Sequence, residues 1–206
     1  MIRVIVCILA VLTCVPLFPQ KVNEAIVKLQ INSVASSLRT LQCDFVQTKH
    51  LKMLNDKMVS RGKMYYSKDN RLRWEYVTPY KYVFVLNGNK VLLKNNGRKD
   101  IIDVKKNKMF SEIARIMMNS VVGKCLNDEN DFKSRITGTQ TEWIAQLTPL
   151  RKDMKQMFQK INLHFSKSAS MVTVVELIEK NGDKTVIELK NIKTNVAFSE
   201  DIFAVN

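Results

Sequence analysis

The chain has 206 residues, 46% apolar and 25% charged, with only 6 Gly and 4 Pro, enough for one globular domain once a leader is removed and too short for a second full one. A formal charge of +14 invites phosphate binding, yet the Lys and Arg residues are scattered along the whole chain. Charge alone therefore selects neither a nucleic-acid surface nor an exported protein working near anionic lipid or acidic partners.

The first twenty residues, MIRVIVCILAVLTCVPLFPQ, begin with Arg3, run apolar through Val15 and then meet Pro16 and Pro19. The run is short for a membrane span and suits the middle of a secretory signal peptide. Residues 1–20 are accordingly read as a leader, cut near residues 18–21, and residues 21–206 as a single domain; a retained anchor and a buried N-terminal strand are the alternatives. A lipidation site at Cys14 is disfavoured because Thr13 stands where a smaller residue is usual. Loss of the leader leaves Cys43 and Cys125, which permit either one disulfide or two buried thiols; spacing does not choose.

Residues 22–39 place Val22, Ala25, Ile26, Leu29, Val34 and Leu38 near helical spacing and predict an opening amphipathic helix. From Leu41 the period shortens. CDFVQTKHLKML sets Phe45, Gln47, Lys49 and Leu51 on one side of a strand and Val46, Thr48 and His50 on the other. MVSRGKMYYS predicts a second strand. NRLRWEYV predicts a third, with Leu72, Trp74 and Tyr76 opposite Arg71, Arg73 and Glu75, between turns at Asp69-Asn70 and Thr78-Pro79. YKYVFVL and NKVLLKN flank a hairpin turn at Asn87-Gly88, and KDIIDV is one more short strand.

A helix then interrupts the meander. NKMFSEIARIMMNSVVGKCL aligns Met109, Ile113, Ile116, Met117 and Val121 on a broad apolar face that ends at Gly123. LNDENDFKSR reads as a polar connection, ITGTQTEWIAQLTPL as a strand ending near Thr148-Pro149, and RKDMKQMFQ as a short helical turn. KINLHFS, MVTVVELIEK, a turn at Asn181-Gly182-Asp183, KTVIELKNIK and a short ending at Ile202-Phe203 return to sheet. Consecutive strands with short connections predict one large antiparallel sheet with two principal helices.

No catalytic constellation emerges. His50 and His164 lie in strand-like segments without a metal-ligand pattern beside them, Asp128, Glu129 and Asp131 do not match a calcium loop, and Glu176, Glu179 and Glu188 read as surface charge. The expectations are no enzyme activity, no metal and no cofactor. Tyr65, Tyr66, Trp74, Tyr76, Tyr80 and Tyr82 amid Lys and Arg could stack on bases, but their alternation better supplies the covered side of a sheet, and the leader disfavours nucleic acid as a partner.

An ordered set of segments resembles a known family. The opening helix, CDFVQTKH, RGKMYYSKDNRLRWEYVTP, the YVFVLNGNKVLL hairpin, the KMFSEIARIMM helix, and the late LTP and GDKTVIELKNIKTN stretches follow one another as in the bacterial outer-membrane lipoprotein carrier proteins, over residues 22–203. Phe45-x-Gln47 followed by Gly62, Trp74 and Pro79 is the strongest part. The resemblance implies a mainly β fold, an incomplete antiparallel barrel or strongly curved sheet covered by helices. It also implies a periplasmic chaperone that takes acylated lipoproteins from an inner-membrane release complex to an outer-membrane acceptor, where the source has one. A non-catalytic envelope binding or assembly module on the same fold is the alternative.

On this reading the acyl-chain cavity takes Phe45, Tyr65, Leu72, Trp74, Tyr76, Phe84, Met109, Ile113, Ile116 and Met117, with the Met109–Val121 helix contributing to a lid. Lys68 stands where the family carries an arginine that holds the closed state, and Asp69 where proline is common. An ammonium cannot make the bidentate contacts of a guanidinium, so a latch here is weaker than usual, or is made by Arg71 or Arg73. The plain alternative is that Lys68 is a charged turn residue.

Overall fold

A computed structural model describes residues 22–106, 118–119 and 122–205. The leader, Met109, Ile113, Ile116, Met117 and Val121 lie outside the described residues, while Met118, Asn119 and Val122 are helical.

Helix α1 (Glu24–Ser37) starts where the Asn23 side chain accepts the Ile26 N–H at 3.3 Å and stops where the Leu38 N–H closes on the Val34 carbonyl. Its buried face is Val27, Ile31 and Ala35, continued by Leu38. That corrects the predicted face, of which only Leu38 is buried: Ile26 is 53% and Leu29 69% exposed. The helix carries apolar residues on more than one side, and its contacts with β7, β10 and the 3-10 turn Lys124–Asn127 decide which side is covered.

Eleven strands form one antiparallel sheet: β1 (Thr40–Leu51), β2 (Asp56–Ser67), β3 (Arg71–Thr78), β4 (Tyr82–Asn87), β5 (Lys90–Asn95), β6 (Arg98–Asp103), β7 (Phe132–Gly138), β8 (Glu142–Pro149), β9 (Phe158–Ser166), β10 (Met171–Glu179) and β11 (Lys184–Thr194). Their spatial order is β6-β5-β4-β3-β2-β1-β11-β10-β9-β8-β7. Two meanders are thus joined by the pairing of β1 with β11, and β6 and β7 remain as edges of a curved, unclosed sheet. The connection from β6 to β7 passes between those edges and delivers Val104, Met118, Val122, Cys125 and Leu126 into the principal core. Short helix α2 (Lys152–Met157) buries Met154 beneath β8 and β9, at the place predicted for a helical turn.

Two further expectations are corrected. β7 begins at Phe132, inside the stretch read as a polar connection, because an edge strand keeps Lys133 and Arg135 in solvent while Phe132 and Ile136 are buried. The Ile202-Phe203 ending is a 3-10 turn, Glu200–Phe203, whose Ser199 hydroxyl accepts the Asp201 N–H, and not a strand. The turns at Gly88 and Gly182 have φ of +59° and +88°, which a glycine adopts without a Cβ clash. Thr78-Pro79, predicted as a turn, carries a cis peptide bond.

Candidate functional site, the inner face of the sheet

Residues directly opposed in an antiparallel pair share a face, so the register identifies the inner wall. Cys43 opposes Met64, Phe45 opposes Gly62, Met64 opposes Trp74, and Trp74 opposes Phe84. Phe45, Leu72, Trp74 and Phe84 are all buried on this wall and Tyr76 is half-buried. The Phe45 and Trp74 ring centroids lie 4.4 Å apart, Tyr76 meets Phe45 edge-on at 5.2 Å, and Tyr82 continues the row 6.1 Å from Tyr76. Gly62 makes this packing geometrically feasible: a Cβ there would stand 2.5 Å from Phe45 Cζ and also meet the Glu75 carbonyl oxygen.

The wall is uncharged at neutral pH. Burial pushes the Tyr66 and Tyr76 hydroxyls above their ordinary range, in Tyr76 against the opposing effect of its contacts with Trp74 and Gln47. The Tyr76 hydroxyl donates to Gln47 Oε1 at 2.9 Å. Burial, with Asp44 nearby, pushes the Cys43 thiol up to about 12, so it stays protonated and is a poor nucleophile. Cys43 and Cys125 are both buried, and they are not joined to each other. Cys43 sits on central strand β1, whereas Cys125 belongs to the 3-10 turn packed against α1 and edge strand β7.

At one end of the wall a cleft of about 340 Å³ opens between Tyr66, Leu86, Val104, Met118 and Val122, with Lys68, Asn70, Asn119 and Lys124 at its polar rim. The Lys68 Nζ reaches the Ser36 carbonyl near the end of α1 at 3.5 Å, and its backbone N–H donates to the Arg39 carbonyl at 2.8 Å. Lys68 therefore bridges the β2–β3 turn and α1 beside this cleft.

Three predicted site residues belong to the opposite face. Tyr65 is one position out of phase with the inner wall and packs edge-to-face on Phe198 at 6.0 Å. Arg71 pairs with Asp69 at 3.0 Å and lies over the Phe203 ring, 5.2 Å from its centroid. Arg73 pairs with Glu75 at 2.9 Å and donates to the Ile202 carbonyl at 3.3 Å. Strand alternation forces this outcome: both arginines hold the C-terminal segment on the outer face, and neither reaches the covered side as a latch. A second small core of Val85, Leu92 and Phe203 lies there. Tyr66, at 3% exposure, is the inner-wall tyrosine that sequence reading passed over. Counting by twos from Gly62 would have found it.

His50 is exposed, and His164 lies on the outer face with Nδ1 3.2 Å from Glu142 and Nε2 3.8 Å from Glu176. Among the described residues, no group of His, Cys, Asp or Glu is arranged to hold a metal ion.

Comparison with known proteins gives the family. A family profile described as "Outer membrane lipoprotein carrier protein LolA" matches residues 36–206. The chain belongs to this carrier family. An outer-membrane lipoprotein carrier protein of Methylococcus capsulatus is 24% identical over 174 residues, covering 84% of this chain and 80% of its own. One from Nitrosospira multiformis is 26% identical over 176 residues, covering 84% and 81%. In fold alone, the chain is similar to a conserved protein from Thermus thermophilus, with a TM-score of 0.52 and 9% identity over 87% of this chain and 91% of that one. The unclosed antiparallel sheet is thus the scaffold of a carrier-family protein.

Proposed function

We propose that the protein is a non-catalytic periplasmic chaperone that takes acylated lipoproteins from an inner-membrane release complex to an outer-membrane acceptor. The acyl chains lie along the inner wall, with residues from between β6 and β7 on their other side. The observation that carries this reading is the continuous uncharged wall of Phe45, Leu72, Trp74, Tyr76 and Phe84 in a chain of the carrier family. Each acyl methylene removed from water contributes about 0.8 kcal/mol, so a lipid anchor free in the periplasm is driven into aggregates or the nearest membrane. An uncharged compartment lowers that drive and leaves no charge to desolvate on the protein side.

Release has to be as easy as capture. The wall packs in one core with Met118 and Val122, and parting that packing to admit cargo sets a cost that keeps net affinity moderate. Met109, Ile113, Ile116 and Met117 belong to the proposed lid. Lys68, at the cleft rim, is the proposed latch, through its reach to the end of α1.

Photo-crosslinking tests the reading. Tyr82 and Val83 are neighbours on β4 that face opposite sides of the sheet. A photoreactive residue at 82 is expected to label the acyl chains of a bound lipoprotein, and one at 83 is expected not to. Labelling at 83 alone would reject the inner wall as the acyl site.

A further inference from the structure

The β1–β2 hairpin ends in an exposed apolar tip that neither core absorbs. β1 stops at Leu51 and β2 starts at Asp56, and in the turn between them Met53 is 92% and Leu54 71% exposed. Just below, Met58 is 43% and Val59 39% exposed. Leaving a methionine and a leucine in water at the end of a paired hairpin is unfavourable unless something covers them.

The tip is held in place. The Leu54 N–H donates to the Leu51 carbonyl at 3.2 Å, and the Lys52 N–H donates to Asp183 Oδ1 at 3.0 Å, which ties the tip to the β10–β11 turn. Gly182 in that turn lies against the Lys52 stem, and the Lys180 N–H donates to the Met157 carbonyl at 3.1 Å, which brings α2 to the same end. Met157 is itself 48% exposed. The β1–β2 tip and α2 therefore present exposed apolar side chains at one pole, held together through the β10–β11 turn.

The charge around these side chains is basic. Lys52, Lys57 and Lys180 are exposed and form no ion pair among the described residues, while Lys49 is paired with Glu179 at 3.2 Å. Of the acidic groups nearby, Asp183 is only 8% exposed and Asp56 accepts the Lys57 N–H. Beside the tip a recess of about 500 Å³ is lined by His50, Leu51, Lys52, Asn55, Asp56, Lys57 and Gly182, open enough to receive an anionic headgroup.

We infer that this pole docks on the surface of an anionic phospholipid bilayer, with Met53 and Leu54 entering the interface and Lys52, Lys57 and Lys180 contacting headgroup phosphates. Lysine stems lie along apolar surface while their ammonium groups stay in the headgroup layer, which suits this interleaving of Lys with Met and Leu. A protruding convex tip matches a bilayer better than a partner protein, which would need a complementary groove. The docking involves no acyl cargo, so it stands or falls apart from the function of the inner wall.

Flotation of the cargo-free protein with vesicles tests it. The wild type is expected to float with phosphatidylethanolamine vesicles containing phosphatidylglycerol, to float less with neutral phosphatidylcholine, and to be released by added salt. Met53→Asp with Leu54→Asp is expected to weaken partition by about tenfold or more, and each of Lys52→Ala, Lys57→Ala and Lys180→Ala by about fivefold. All these positions are exposed, and an unchanged thermal midpoint shows that the variants are folded. Wild-type protein that ignores anionic vesicles, or tip variants that float as well as wild type, would overturn the proposal. Tip variants that float normally yet fail to exchange lipoprotein with a purified membrane complex would assign the tip to a protein partner instead. Crosslinking from residue 82 in the same variants reports separately on the inner wall.

Discussion

Phe45 and Gly62 occupy opposed positions in the β1–β2 register, and the ring lies where an alanine methyl at 62 would be. Gly62→Ala is expected to destabilise the fold by about 1–3 kcal/mol, read as a lower urea midpoint with an unchanged slope, because both the ring and the Glu75 carbonyl must move. An unchanged midpoint would mean that the aromatic row is not tightly seated. A different residue-scale effect appears on the outer face at Glu176. Burial disfavours its charge, but the Lys184 ammonium, the Asn162 amide at 2.8 Å and His164 outweigh burial and hold the carboxyl below its usual range. A carboxylate with a depressed folded-state pKa adds stability that is complete above the ordinary value of about 4.3 and disappears as pH falls through the folded one. Glu176→Gln should therefore lower the thermal midpoint at neutral pH, with the gap to wild type closing below about pH 4.3. A gap that stays constant on acidification would show that the pair contributes through packing alone. The Tyr65-Tyr66 dipeptide marks the limit of residue-level reading: two identical neighbours in a strand point to opposite faces, and only the strand partners say which faces in.

Among the elements, α1 gives the sharpest contrast. Ile31→Ala is expected to cost about 2–5 kcal/mol, since Ile31 is 1% exposed, whereas Leu29→Ala should change stability by less than about 0.5 kcal/mol. Equal effects in chemical denaturation would restore the face that helical spacing suggested. The C-terminal 3-10 turn makes a similar claim on the outer face. Phe203 is 1% exposed against Val85 and Leu92, Arg71 lies over its ring, and Asn87 donates to its carbonyl at 3.0 Å. Phe203→Ala is expected to cost about 3–5 kcal/mol and to speed amide exchange in β4 and β5 before the β8–β9 arm. Uniform acceleration over both arms would make the turn part of the global core rather than a local strap.

At the scale of the molecule, the pairing of β1 with β11 joins the two meanders into one wall, and Val104, Met118 and Val122 from between β6 and β7 pack in the same core. A ligand that binds only the folded state stabilises it by mass action, by about 2.7 kcal/mol at a hundredfold excess over its dissociation constant. An acylated lipopeptide is accordingly expected to raise the denaturation midpoint, and its deacylated counterpart to leave it unchanged. Equal shifts with both would place recognition in the peptide and not in the acyl chains.

Taken by itself, the sequence determined the class of the fold and most of its strands. Alternation is local, so Leu72, Trp74 and Tyr76 could be separated from Arg71, Arg73 and Glu75 without knowing any neighbour, and the ordered segments from CDFVQTKH onward were enough to indicate the carrier family. Only the tertiary structure decided which side of α1 is buried, that β7 starts inside a polar stretch, and that Tyr65 and both arginines serve the outer face. These outcomes depend on partners distant in sequence, as when Phe45 meets Leu189 across the β1–β11 seam. Hydrophobic burial has no direction of its own; the face it covers is set by whatever the fold brings opposite.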